Sequence, residues 1–194
     1  MEYKHQCDQD RYLAYFDLLG TKELLCSDKG LEVFDAYQDA IKALEEDPAR
    51  QSKWHSSWFS DTFVITTEDA SGQSLCDIEW LAREFACMLL LKKIPLRGAL
   101  SFGHAYADYD NAVLFGKALL DAYQIGDSLD WVGFVLCPSF VEKMEELKLP
   151  VERRVNYARW KAAWNKRKPQ EPPIQLYGCL LGRWFSVNGR QPVR

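Results

Sequence analysis

Arg11-Tyr12-Leu13-Ala14-Tyr15-Phe16-Asp17-Leu18-Leu19-Gly20-Thr21 runs aromatic and apolar as far as an acid, Asp17, and halts at a glycine that permits a sharp turn. It reads as a strand ending in an acid, followed by a turn and a helix start. Downstream, Leu31, Phe34, Ile41 and Leu44 fall at helical spacing, so a helix is expected over 31–46, broken by Asp47-Pro48. Residues 53–59 and 63–67 are rich in aromatic and β-branched side chains, and Ser60-Asp61-Thr62 between them has turn composition, which predicts a β-hairpin with Asp61 at its bend. Beyond Asp69-Ala70-Ser71-Gly72, the recurrence of Leu75, Ile78, Leu81, Phe85 and Met88 marks a helix to about Lys93, stopped by Pro95.

Segments 96–106 and 113–115 read as strands. A helix over 116–124 carries Leu119, Leu120 and Tyr123, a strand follows at 131–136, and Pro138 opens a helix to about Leu147. The order fits an α+β sandwich with helices against one face of a mostly antiparallel sheet. Residues 151–168 interleave Arg153, Arg154, Arg159, Lys161 and Lys166 with Tyr157, Trp160 and Trp164. That composition suits either single-stranded nucleic acid or an amphipathic helix whose tryptophans, four apart, face the core. The second reading is preferred, and a final strand is expected within 174–181.

The 194 residues are 47% hydrophobic and 27% charged, enough to support one ordered domain. The expected organisation is a single catalytic domain, 1–194, with its motif-bearing core at about 11–147 and an extension over 148–194. A net charge of −4 gives no general attraction to nucleic acid or anionic membrane. No apolar run approaches the ~18 residues of a membrane span, and residues 1–6 carry no signal-peptide core, so a cytoplasmic protein is expected. The six scattered cysteines lack metal-like spacing and read as reduced core thiols.

Pairing of the first strand with the hairpin would bring Asp17 and Asp61 to one sheet edge. Two such carboxylates suit Mg²⁺, which takes hard oxygen ligands and is commonly completed by substrate phosphates. Gly20 lets the backbone approach a phosphate, and Lys22 adds a cation to the helix start there. Singly, Asp17 is as well explained as a helix cap and Asp61 as a turn residue. Arg97, opening a strand expected beside the hairpin, offers a permanent charge suited to phosphate, or else a solvated surface arginine.

Phe16-Asp17-Leu18-Leu19-Gly20, Phe59-Ser60-Asp61, Arg97-Gly98-Ala99-Leu100-Ser101-Phe102-Gly103 and Gly116 with the helix after it resemble, in order and spacing, the motifs of class III nucleotide cyclases. More closely they resemble the stand-alone pyrimidine cyclases of the Pycsar antiphage system. The resemblance implies a ferredoxin-like sandwich in which Asp17, Asp61 and the Leu18 carbonyl hold two divalent cations, Mn²⁺ or Mg²⁺. It implies phosphate binding by the backbone of Gly20, Thr21 and Lys22, and triphosphate contact by Arg97. It also implies a homodimer with sites at the interface, and a separate effector protein that senses the cyclic nucleotide. The family's transition-state Asn and Arg align with Leu120 and Gln124, which cannot replace them. Arg97, Lys22 or another residue must then serve the α-phosphate, or the domain is inactive. The family's adenine-reading Lys and Asp align with Ser57 and Val113, which removes the ionic pair that reads a purine. A pyrimidine triphosphate is expected, UTP ahead of CTP.

Overall fold

The computed structural model describes residues 8–26, 30–46, 53–109, 113–148, 177–179 and 184–186. In chain order the elements are β1 (Asp8–Leu18), α1 (Thr21–Cys26), α2 (Gly30–Glu45), β2 (Trp54–Phe59), β3 (Thr62–Thr67), α3 (Gly72–Leu91) and β4 (Leu96–Asp108). They continue with β5 (Val113–Gly116), α4 (Lys117–Asp127), β6 (Gly133–Leu136), α5 (Pro138–Glu146), β7 (Tyr177–Cys179) and β8 (Trp184–Ser186). The sheet runs β2-β3-β1-β4-β6-β7-β8, with β5 paired to the far end of β4. Every pairing is antiparallel except β4 with β6. The mixed α+β sandwich with a mostly antiparallel sheet therefore holds.

The expectation of helices on one face does not hold. Tyr12 through Phe16 are all buried, as a strand covered on both sides requires. Tyr12, Ala14, Phe16 and Leu18 pack with α2, α3 and α5, whereas Leu13 and Tyr15 pack with Ala118 and Ala122 of α4 on the opposite face. The first face is filled by rings: Phe63 lies flat on Phe85 at 4.3 Å, and Phe16 on Phe134 at 4.6 Å. Gly98 stands between Phe16 and Phe134 in the register, and a Cβ there would meet Phe134 at 2.5 Å and the Tyr15 carbonyl at 2.1 Å. The ring stack closes over that missing side chain.

Two helices leave outside some of the large apolar residues that mark them in the sequence, while Ile41, Leu44 and Leu119 pack inward. In α2 the buried residues are Val33, Ala36, Tyr37, Ala40 and Leu44, while Leu31 and Phe34 are exposed. In α4 they are Ala118, Ala122 and Gly126, while Leu120 and Tyr123 are exposed. In α4, small residues at i, i+4 and i+8 let the helix lie close to the sheet. The cysteines also depart from expectation: of the four whose side chains are described, only Cys137 is buried, and Cys26 and Cys76 are exposed. The described part of the expected last strand is β7, β8 was not anticipated, and the basic segment 151–168 lies outside the described residues. Among the described residues no helix is long and apolar enough to cross a membrane.

Candidate active site

β1 lies between β3 and β4, so Asp17 is flanked in the register by Thr62 on one side and Arg97 on the other. Arg97 thus borders β1 and not the hairpin, contrary to the expected strand neighbour. Three loops converge at this edge. The Leu18 N–H donates to the Asp61 carbonyl at 3.0 Å and the Leu19 N–H to the Pro95 carbonyl at 2.9 Å. Gly20 then turns the chain at φ +74°, a conformation that favours glycine, and α1 begins. The Thr21 hydroxyl donates to the Leu18 carbonyl at 3.0 Å. Asp17, Leu18, Gly20, Thr21 and Asp61 are therefore brought together, while the Lys22 side chain lies outside the described structure.

Asp17 ends its strand largely buried, its side chain only 14% exposed. Burial pushes its carboxyl above the usual range, the hydrogen bond and charge of Arg97 oppose this, and Asp61 and Asp127 add to the rise. Arg97 Nε donates to Asp17 Oδ2 at 2.7 Å. Its Nη2 donates to the Asp127 carboxylate, and its Nη1 to the carbonyls of Asp127 and Leu129. Arg97 is thus a largely buried bridge and not a free surface cation. Asp127 was missed because the sequence pattern ends the helix at Gln124, one turn short.

Tyr37 was missed as well. Its ring is fully buried, flat on Trp58 at 4.3 Å and edge-on to Phe63 at 5.6 Å, a register pair of the hairpin that ends in the Ser60-Asp61 turn. Among the described residues its hydroxyl has no hydrogen-bond partner. Burial raises its pKa, and the charges of Asp17 and Asp61 raise it further.

Ser57, half-buried on β2, pairs with Val64, and Val113, exposed on β5, pairs with Asp108. The chain just after β4 folds back to β2: Tyr109 stacks on His55 at 3.5 Å, two residues from Ser57. Leu120 and Gln124 stand exposed, one turn apart on α4. No group of three or more His, Cys, Asp or Glu side chains gathers as a metal cluster among the described residues. Two carboxylates and a backbone carbonyl still form an all-oxygen donor set, which suits Mg²⁺ or Mn²⁺ shared with substrate phosphates.

No protein-family model matches the chain. No curated protein matches it either. Solved structures do. The adenylyl cyclase CyaB from P. aeruginosa aligns at TM-score 0.52 with 10% identity, over 72% of this chain and 82% of that one. A non-canonical dimeric guanylyl cyclase domain of the RhoGC fusion protein from the aquatic fungus Blastocladiella emersonii aligns at TM-score 0.56 with 12% identity, over 71% and 84%. The guanylate cyclase domain of RhGC from Catenaria anguillulae, solved with GTP, aligns at TM-score 0.53 with 10% identity, over 71% and 83%. The fold is that of class III nucleotide cyclase domains.

Proposed function

We propose that this protein is a metal-dependent nucleotide cyclase that converts UTP, or secondarily CTP, to the 3′,5′-cyclic monophosphate and pyrophosphate. The observation that carries the reading is the meeting of Asp17, Asp61 and the Leu18 carbonyl beside the Gly20 turn, on a cyclase fold. Asp17, Asp61 and the Leu18 carbonyl would hold two divalent cations, Mn²⁺ or Mg²⁺, whose chemistry lowers the pKa of the ribose 3′-hydroxyl and neutralises the departing pyrophosphate. The backbone of Gly20-Thr21-Lys22 would bind phosphate, and Arg97 would reach the triphosphate. The 3′ oxygen gives up its proton and bonds to the α-phosphorus as the α–β phosphoanhydride bond breaks. The protein's share is positioning and charge stabilisation.

Ser57 and Val113 offer no ionic pair to a purine, and an unpaired buried polar edge costs about 1–3 kcal/mol. That favours a pyrimidine. Leu120 and Gln124, exposed on α4, lack respectively the amide and the positive charge that the resemblance places there, and they favour a second reading, a non-catalytic module that binds a nucleotide or protein. On the first reading two copies form a C₂ dimer with sites at the interface. The chain, 1–194, then acts as one cytoplasmic catalytic domain, its product a second messenger in antiphage defence read by a separate effector protein.

The test is to incubate the purified protein with Mn²⁺ and each of the four ribonucleoside triphosphates, and to resolve products by mass spectrometry. Cyclic UMP or cyclic CMP is expected. Binding without turnover supports the second reading, and dominant cyclic AMP or cyclic GMP removes the pyrimidine assignment.

A further inference from the structure

The Arg97 guanidinium lies between two carboxylates. It reaches Asp17 through Nε alone, at one oxygen, while Nη2 goes to the Asp127 carboxylate and Nη1 to the Asp127 and Leu129 carbonyls. A guanidinium left alone with Asp17 could close on it with two parallel N–H donors, the strongest arrangement for that pair. It would then compete with any cation for the same carboxylate. We propose that Asp127 is a positioning residue for the metal site, holding Arg97 at the rim so that Asp17 can turn its charge to a divalent cation. The inference rests on the reading of Asp17 as a metal ligand.

The arrangement is built into the packing. A Cβ on Gly126 would lie 3.0 Å from the Tyr15 ring and 3.3 Å from Gly98 Cα, so two glycines face each other where α4 meets β4. Their chain neighbours, Asp127 and Arg97, are brought together by that approach. The last carbonyl of α4, that of Asp127, also accepts from the guanidinium, where the helix end favours a cation. Charge completes the argument: with Asp17 engaged by metal, Asp127 remains as the counter-ion of a side chain only 18% exposed. Asp127 itself is half-exposed, so its pairing contributes little to stability. Its removal should show in metal affinity much more than in unfolding.

The experiment is a Mn²⁺ titration of the full chain by electron paramagnetic resonance, without nucleotide, with urea unfolding in parallel. Asp127→Asn should weaken Mn²⁺ binding about tenfold, as loss of an outer partner of a metal ligand does. Asp127→Glu should recover most of that affinity. In an Arg97→Gln background the same Asp127→Asn change should cost less than about twofold, because the competitor is gone. Equal losses in both backgrounds, or no loss in either, would overturn the proposal. If Arg97→Gln does not fold, the comparison of Asn with Glu at position 127 decides alone. Mn²⁺ uptake that Asp17→Asn abolishes and Asp127→Asn leaves unmoved overturns this inference only. No uptake by the unmodified chain, or uptake indifferent to Asp17→Asn, overturns the metal reading and this inference with it.

Discussion

The two faces of the sheet are packed by opposite means. Under α2, α3 and α5 the core is large and aromatic, with Phe16, Phe63, Phe85, Phe134 and Tyr37 in mutual ring contact. Under α4 the fully buried helix residues are the small Ala118, Ala122 and Gly126, set against Leu13, Tyr15, Ala99 and Val135 of the sheet. The thick face supplies apolar burial, at about 25 cal/mol per Å², and so most of the stability. The thin face supplies proximity. It brings the end of α4 to β1 and β4, where Arg97 joins Asp17 to Asp127. Stability and site construction are thus separable, and substitutions on the two faces should separate them.

The largest effect is expected at Gly98, which serves both faces. Gly98→Ala places a methyl against a strand carbonyl and the Phe134 ring, neither of which can retreat without parting two strands. A loss of about 4–5 kcal/mol in urea unfolding is expected. Next is Phe85→Ala on the thick face, where a fully buried ring touching Phe16, Phe63 and Tyr37 is removed. A cost of about 3–5 kcal/mol is expected, with the Mn²⁺ affinity of whatever remains folded unchanged.

Gly126→Ala should invert that pattern. The new methyl must push the Tyr15 ring back by a few tenths of an ångström. The gain in helix propensity, up to ~1 kcal/mol, offsets much of the strain. Urea unfolding should move by less than about 1 kcal/mol, while Mn²⁺ affinity falls as α4 carries Asp127 away from Arg97. The smallest effect belongs to Tyr37→Phe. Its hydroxyl is buried without a partner among the described residues, so its loss removes a desolvated polar group and no bond. The midpoint of urea unfolding should stay or rise; a fall of more than about 1 kcal/mol would show that the hydroxyl is bonded in solution.

The same contrast explains what could be read from the sequence. The thick face was legible: β1 from its unbroken apolar run, the hairpin from Ser60-Asp61-Thr62, and α3 from Leu75, Ile78, Leu81 and Phe85, because large side chains at a regular period announce a buried surface. The thin face was not. Alanine and glycine carry little apolar signal, so of Leu119, Leu120 and Tyr123, which mark α4 in the sequence, only Leu119 packs inward, and the helix end was placed before Asp127. The meeting of Asp17 with Asp61 was anticipated from strand and turn patterns. That Asp17 would be buried against Arg97 depended on β1 lying between β3 and β4, a long-range register that local pattern does not encode. Tyr37 gave no warning, since a tyrosine on an amphipathic helix looks alike whether or not its hydroxyl finds a partner.

The central claim is that the acid edge of β1 and its hairpin is a working cyclase centre, and Asp17→Asn and Asp61→Asn test it most directly. Each keeps the shape of the side chain and removes the charge, which at Asp17 avoids leaving the hole beside Arg97 that alanine would. Cyclic nucleotide formation from UTP and CTP with Mn²⁺ would be followed by mass spectrometry for both variants and the unmodified chain, with circular dichroism confirming the fold. The account predicts cyclic UMP or cyclic CMP from the unmodified chain and at least a ~10²-fold loss in kcat/KM for each folded variant. Unaltered product formation by either variant would contradict it.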